Sequence, residues 1–247
     1  ARGAAASDVV AGARSPERVQ APEGVRTALV DYDRPETLAP ALEGVDVVVL
    51  VSASEPGKRV PQHAAVIDAA TAAGVGRIVY TSILDAADSP LPLAPEHVET
   101  EALLTASGIP VTILRNDWYT ENYAADVARA RETGQIAGSA GEGRVASASR
   151  IDYADAAAVV ALDEAHAGRT YELAGDVAWT YDELAAAIGE VVGRDVRYAH
   201  LTTDEHLAAL QAAGLDAGTA GFVAALDAGI AQGALDSADR TLSQLIG

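Results

Sequence analysis

The sequence contains no cysteine, which excludes disulfides, thiol nucleophiles and thiolate metal ligands. It contains no methionine either, not even at position 1, and this predicts a chain that starts inside a longer sequence. Aromatic residues are scarce, with one Phe, two Trp and eight Tyr. Positive charge is scarce too: 17 Lys and Arg stand against 36 Asp and Glu, for a formal net charge of −19. Such a field repels a polyphosphate backbone and an anionic bilayer, so neither nucleic acid nor membrane is an expected partner. The strongest basic concentration, Arg129 with Arg131, reads as a solvated helix face. No apolar run reaches the ~20 residues that cross a bilayer. The longest, residues 45–53, is broken by Asp46 and has the length of a strand. No signal-peptide pattern opens the sequence, and a soluble, cytoplasmic protein is expected.

What is present is a β–α rhythm. Residues 8–13, 25–30, 45–52, 76–82 and 111–114 read as strands. Helical spacing fills 35–42, 60–73 and 95–107 between them. Short loops joining such units predict an α/β fold, a Rossmann-like doubly wound parallel sheet with right-handed crossovers. The β-branched run at 45–52 suits a strand covered on both faces. The helix at 60–73 sets Val60, Ala64, Ile67 and Thr71 on one face. After Leu114 the rhythm changes. Residues 118–133 look helical, and the Gly-, Ala- and Ser-rich stretch 135–149 reads as a loop or hairpin. A helix over 152–164 is capped by Asp152, and a short strand covers 169–173. A helix over 180–192 opens with a capping box of Thr180 and Glu183, and a strand at 196–200 precedes Ala-rich helices. The expected organisation is a nucleotide-binding core over 1–117 and a small C-terminal α/β lobe over 118–247 on the substrate side, partly interleaved with the core.

In an open α/β sheet a dinucleotide lies along the carboxyl ends of the strands, with its pyrophosphate at a helix N-terminus behind a glycine-rich turn. No such turn precedes the first strand, and residues 1–7 read as the tail of a helix. The glycine cluster at 138–143 follows no strong strand and opens no helix, so it reads as a flexible loop. The strand at 8–13 ends at Arg14 with no acid beside it. An acid there would hold a ribose 2′-OH, whereas an arginine accommodates a 2′-phosphate, which favours NADPH over NADH; the plain alternative is an ordinary exposed arginine. Other candidate cofactor contacts sit at strand ends: Ser52, Ala53 and Ser54, with Lys58, Arg59 and Gln62 after them, then Thr81 and Ser82. Trp118, Tyr119 and Tyr123 fall just after a strand end, where flat rings suit a nicotinamide or quinone. They equally suit a core joint between the lobes. Asn116 and Asn122 add amide groups.

Several segments resemble one family. Ser52-Ala-Ser-Glu-Pro-Gly-Lys-Arg-Val-Pro-Gln-His63, Tyr80-Thr-Ser-Ile-Leu84 and Glu96-His-Val-Glu-Thr-Glu101 are similar to type 2 NAD(P)H:quinone oxidoreductases. So are Leu114-Arg-Asn-Asp-Trp-Tyr-Thr-Glu-Asn-Tyr123 and Tyr171-Glu-Leu-Ala-Gly-Asp-Val-Ala-Trp-Thr180. That family belongs to the NmrA-like, atypical short-chain dehydrogenase/reductase group. The resemblance runs along essentially the whole chain. It implies a Rossmann core and a small C-terminal lobe, with NADPH (NADH also accepted) and a small-molecule quinone held in the cleft between them, and neither flavin nor metal. It also implies a further strand and glycine-rich loop before Ala1 and a short extension after Gly247. A chain without that loop is expected to hold NADPH poorly. A homodimer stays open.

Ordinary short-chain dehydrogenases use Tyr-x-x-x-Lys to donate a proton; here the corresponding helix carries His97-Val-Glu-Thr-Glu101. Without that acid, reduction of a simple ketone is disfavoured. A reduced quinone spreads its charge and needs less help. Asn116, Trp118 and Tyr119 are the candidate catalytic residues, with His97 as a candidate proton donor or, more plainly, a partly exposed helix histidine forming a surface pair with Glu101. The five histidines form no ligand spacing and no G-x-S-x-G elbow occurs, so metal and acyl-transfer chemistry are not expected. The expected activity is NADPH-dependent hydride transfer to a quinone. The alternatives are an NmrA-like redox-sensing regulator that binds dinucleotide without turnover, and a reductase of another acceptor such as a dye or imine.

Overall fold

A computed structural model describes residues 3–247; Ala1 and Arg2, the start of the expected helix tail, lie outside the described residues. Only a single 3-10 turn, Ala6–Asp8, occupies the rest of that tail. The first half of the chain runs β1 (Val10–Ala13), β2 (Arg26–Leu29), α1 (Leu38–Leu42), β3 (Val47–Leu50), α2 (Arg59–Ala73), β4 (Arg77–Ile83), α3 (Ala94–Ala106) and β5 (Val111–Asn116). The second half runs α4 (Ala124–Thr133), β6 (Gln135–Gly138), β7 (Arg144–Val145), α5 (Arg150–Leu162), β8 (Thr170–Leu173), β9 (Trp179–Thr180), α6 (Tyr181–Val192), β10 (Arg197–His200), α7 (Thr203–Ala212), α8 (Ala217–Ala231) and α9 (Thr241–Ile246).

The fold is α/β and Rossmann-like, with parallel pairing. β1 and β2 pair in parallel, Val10 opposite Arg26. β3 and β4 pair in parallel, Val47 opposite Arg77, within a four-stranded sheet of order β3-β4-β5-β8. β6 pairs in parallel with β10, and β7 in antiparallel fashion with β9. The chain divides into two compact units. The first takes the residues up to Ser82 together with Pro95–Arg115 and Ala154–Tyr171. The second takes Ile83–Ala94, Asn116–Tyr153 and Glu172–Gly247. The change of rhythm near residue 117 marks one of several crossings between them.

Each unit has its own core. In the first, Leu38, Leu50, Val66, Ile67, Ala70, Ile78, Tyr80 and Leu104 pack together. In the second, Leu91, Tyr123, Ile136, Val145, Tyr181, Ile188, Tyr198, Ile230 and Leu235 do. The strand covered on both faces is β4, buried at all seven positions, and not β3, whose neighbourhood leaves Val49 and Val51 exposed. On α2 the buried residues are Arg59, Gln62, His63, Val66, Ile67 and Ala70. That face is rotated from the expected Val60–Ala64–Thr71 face, because three polar side chains find partners inside and count as core.

The capping box of α6 is formed, Thr180 accepting from the Glu183 amide and Glu183 from the Thr180 amide. Helix α5 begins two residues before the expected cap, with Ser149 and Asp152 exchanging hydrogen bonds at its start. Residues 135–149 contain β6 and β7 instead of a bare loop, and the glycine cluster is anchored. The Ser139 amide donates to Asp227 at 2.6 Å, and a Cβ on Gly143 would collide with the Ile230 carbonyl.

One side chain ties α5 to the sheet of the first unit. Arg77, buried at the start of β4, donates to the carbonyls of Val160 (2.8 Å), Ala161 (2.6 Å) and Asp163 (2.7 Å). These are carbonyls that the end of a helix leaves without intrahelical partners, and the planar guanidinium reaches all three. Replacing Arg77 with Ala is expected to cost roughly 3 kcal/mol in urea unfolding, with Arg77→Lys recovering only part of it. An Ala variant that unfolds at the wild-type midpoint would show that this tie contributes nothing.

Candidate functional site

Three parallel strands of the first unit end at one cavity. The end of β1 supplies Gly12, Ala13 and Arg14, the segment after β2 supplies Val30, Asp31, Tyr32 and Asp33, and the segment after β3 supplies Val51, Ser52, Ala53, Ser54 and Glu55. Gln62, from the first turns of α2, completes the lining. The cavity holds about 230 Å³. Pockets for whole drug-sized molecules run to roughly 300–1,000 Å³, so this one has room for part of a dinucleotide, not all of it. Its place at the carboxyl ends of parallel strands is where an α/β sheet receives such a ligand.

The wall is built by backbone pairing and by a few buried side chains. Gly12 sits so close to Val30 that a Cβ there would lie 2.7 Å from the Val30 Cγ2. Tyr32 donates its hydroxyl to the Val51 carbonyl at 3.2 Å, and burial pushes its pKa up to about 12, so it stays a donor. The Ser52 amide donates to Thr81 Oγ1 at 2.9 Å. Gln62 Nε2 donates to Asp33 Oδ1 at 3.0 Å, while the buried Gln62 Oε1 has no hydrogen-bond partner among the described residues. A buried acceptor left unmatched costs about 1–3 kcal/mol. A donor on a ligand, such as a ribose hydroxyl or an exocyclic amine, would match it, so the residues present fit a nucleoside.

Of the sequence candidates, Arg14, Ser52, Ala53, Ser54 and Gln62 line this cavity, and the others do not. Arg59 is 4% exposed and is committed to Ala53 O (Nε, 2.8 Å) and Glu96 Oε2 (Nη1, 2.9 Å). Thr81 and Ser82 are interior to β4, Thr81 accepting from Ser52 and Ser82 donating to Glu101 at 2.6 Å. Lys58 pairs with Glu55 at 3.0 Å. His97 is buried, not partly exposed, and its Nδ1 lies 2.8 Å from the Tyr80 hydroxyl. Burial, with Arg59 and His63 nearby, lowers its pKa to about 3. A neutral, hydrogen-bonded, buried imidazole is not a proton donor at neutral pH, and the expected surface pair with Glu101 does not form, since Glu101 engages Ser82 and Arg115. Gln62, a candidate from the sequence, lines the cavity, whereas sequence reading missed Asp31, Asp33 and Glu55. The strand end at Arg14 carries no acid of its own, yet three acids reach the same cavity from neighbouring strand ends. Their signal lay in the spacing: Asp31 and Asp33 follow β2 as Arg14 follows β1.

The second unit carries the block after β5. Asn116 is buried and its Nδ2 donates to the Tyr119 hydroxyl at 3.4 Å, while Asn116 Oδ1 has no hydrogen-bond partner among the described residues. The half-buried Tyr119 ring meets Tyr153 edge-on at 5.2 Å between centroids and carries the Arg150 guanidinium at 5.4 Å. Asn122 is exposed and accepts from Arg150 at 3.2 Å. Tyr123 does not join this group. It is 6% exposed in the core, packed against Trp179 and Tyr181. Trp118 also packs partly against that core. The expected aromatic wall therefore reduces to Tyr119 with its neighbours.

Asp117, unremarked in the sequence, is 5% exposed, and neither carboxyl oxygen has a well-aligned hydrogen bond. Burial, and to a lesser extent Asp85 and Asp236, raise its pKa from 3.8 to about 8 against a modest pull from the Trp118 amide. A carboxyl whose folded pKa lies above its unfolded one costs nothing while both states are protonated. The cost enters above 3.8 and grows until about pH 8, at up to ~1.4 kcal/mol per pH unit. Stability is thus expected to fall across that window as pH rises. Asp117→Asn should flatten the fall in urea titrations, raising the midpoint near pH 8 and leaving it alone near pH 4; parallel profiles for the two proteins would refute the assignment.

A family model described as NAD(P)H-binding matches residues 2–164. Over 244 residues the chain is 48% identical to quinone oxidoreductase 2 of Escherichia coli, covering 98% of this chain and 85% of that protein. The crystal structure of the NADPH-dependent quinone oxidoreductase of Escherichia coli complexed with NADPH superposes with a TM-score of 0.92 over 98% of this chain and 86% of that one. The Citrobacter triphenylmethane reductase complexed with NADP(H) superposes at 0.91, with 35% identity, over 98% and 87%. With its parallel strand ends meeting at a nucleoside-sized cavity, the chain belongs to the NAD(P)H-binding, NmrA-like family of oxidoreductases.

Proposed function

We propose that this protein is a cytoplasmic NADPH-dependent quinone reductase that works without flavin or metal. The observation that carries the cofactor choice is Arg14 at the cavity. Its side chain is 68% exposed and pairs with Glu55 at 3.5 Å, itself 38% exposed. An ion pair that open to solvent is worth about 0–1 kcal/mol, so a ligand phosphate can take the guanidinium from it. A bidentate arginine–phosphate contact is the stronger of the two. Asp31 and Asp33 suit ribose hydroxyls on the same side, and Gln62 Oε1 accepts from a nucleoside donor.

When bound, NADPH supplies a hydride, that is, two electrons with a proton. The chain supplies orientation. Asn116 holds the Tyr119 hydroxyl by donating to it, which leaves the phenol proton for an oxygen of the acceptor. A reduced quinone is a weak base and asks little of a proton donor, so the lack of a Tyr-x-x-x-Lys pair is no obstacle. The similarity to quinone oxidoreductase 2 supports this acceptor class.

The test is direct. The full-length protein with NADPH and a small quinone should oxidise NADPH, followed by its ultraviolet absorbance, well above the rate without protein. Turnover with a cationic dye but not with any quinone would move the acceptor class; tight dinucleotide binding with no turnover would make the protein a sensor. Arg14→Ala should raise KM for NADPH roughly tenfold or more, as expected for the loss of a charged phosphate contact of ~1.5–3 kcal/mol, and leave NADH nearly unaffected. Equal weakening of the two would remove the 2′-phosphate role.

A further inference from the structure

The segment 53–57 lies between β3 and α2 and gives the cavity Ala53, Ser54 and Glu55. A loop lining a cavity has little packing of its own, yet this one is fixed at both ends by side chains that do not line the cavity. At the start, His63 Nε2 lies 2.9 Å from the Ala53 nitrogen. A backbone N–H can only donate, so Nε2 is the acceptor and the imidazole proton sits on Nδ1. That proton points at Thr100 Oγ1, 3.0 Å away, and the Thr100 hydroxyl donates onward to the Glu96 carbonyl at 2.8 Å. The Ala53 carbonyl accepts from Arg59 Nε at 2.8 Å. At the far end the Gly57 amide donates to Glu96 Oε1 at 2.9 Å, and the other oxygen of that carboxylate holds Arg59 Nη1 at 2.9 Å. Gly57 itself has a φ of +82°, a conformation that favours glycine.

The pieces form a closed circuit: Ala53 to His63 to Thr100 to Glu96, and from Glu96 back through Arg59 to Ala53 and directly to Gly57. His63 is fully buried and Arg59 is 4% exposed, so the contacts these two make to Ala53 and Thr100 are screened less by water and salt than surface pairs are. His63 has no carboxylate partner to charge it, and its ring lies edge-on to Tyr32 and Tyr80. A helix built only to cover a sheet would carry apolar residues at 59 and 63. Here a buried arginine and a buried histidine each bridge the Ala53 backbone to a residue of α3, Glu96 and Thr100 respectively.

We infer that Arg59, His63 and Glu96 are positioning residues for the dinucleotide, acting through the backbone of residues 53–57 and touching no part of the ligand themselves. The inference rests on the cavity being the dinucleotide site. It departs from the sequence expectation that Arg59 contacts the cofactor directly.

The experiment measures NADPH dissociation constants by calorimetry on the full-length protein without any quinone, so the acceptor class has no bearing on the result. His63→Leu removes the acceptor while keeping apolar bulk, and should weaken NADPH roughly tenfold. His63→Gln puts an amide oxygen near the place of Nε2 and should restore binding to within about threefold of wild type. Amide exchange at Ala53 and Gly57 should accelerate in His63→Leu and Glu96→Ala respectively, while the amides of β4 keep their protection. A role confined to core stability would instead lower the melting temperature of the Leu and Gln variants alike and leave their affinities equal. Equal affinities of wild type and His63→Leu, or failure of Gln to rescue, overturn the inference while the dinucleotide reading stands. If His63→Leu does not fold, Glu96→Ala carries the same comparison, with wild-type affinity as the overturning result. A wild-type protein that binds no NADPH overturns the dinucleotide reading, and this inference with it.

Discussion

A polar group taken out of water must find a partner or cost the fold a kilocalorie or more, and that constraint decides where the loops of the first unit lie. Arg59, Gln62, His63, Arg77, Thr81, Ser82, His97 and Thr100 are all buried. Few of them pair only with one another. Arg77 takes three carbonyls at the end of α5, Arg59 and His63 take both backbone groups of Ala53, and Thr81 takes the amide of Ser52. Each of these contacts converts an otherwise free stretch of backbone into a fixed one. The cavity at the ends of β1, β2 and β3 is then a consequence, because the segments that leave those strands have been told where to go.

The α/β class, the strand order of events along the chain and most helix positions were legible because periodicity and turn residues are local signals. The capping box at Thr180 and Glu183 is a case where four residues suffice. Arg14 and Ser52 to Ser54 were legible for a different reason: strand ends can be found from strand positions, and strand ends are where this architecture binds. The failures have a common physical cause. The expected face of α2 left out Arg59, Gln62 and His63, the first two having been read as cofactor contacts in a loop, whereas contacts distant in sequence, to Glu96, Asp33 and Thr100, allow all three inside. His97 was read as a partly exposed histidine or a donor for the same reason, its partner Tyr80 being seventeen positions away. Tyr123 was grouped with Tyr119 by proximity in sequence, but the 3-10 turn at Thr120–Tyr123 turns it into the core of the second unit.

The residues that line the cavity and those that shape it differ in a useful way. Arg14, Glu55 and Lys58 are exposed and joined by ion pairs open to water. Such pairs are weak and exchange easily with a ligand. Arg59 and Glu96 are paired where solvent screens less, at 5% and 20% side-chain exposure. Removing one member there leaves a buried charge behind, which is costly in a way that losing a surface pair is not. Recognition of a charged ligand benefits from the first kind and preorganisation from the second.

Two buried residues with unmatched oxygens show how differently the same deficit can be read. Gln62 Oε1 borders a cavity, and its amide is already oriented by Asp33, so a ligand donor arriving there meets a fixed acceptor and removes a standing cost. Asp117 does not line that cavity, and the acids near it, Asp85 and Asp236, offer repulsion instead of a donor. Its way out is to keep its proton, which leaves a neutral carboxyl in the fold at the pH where an ordinary aspartate is charged. The first deficit is resolved by binding and the second by protonation. Only the first therefore bears on a ligand, and it supports the proposal that the cavity beside Arg14 takes a nucleotide, on chemical grounds as well as by its place in the sheet.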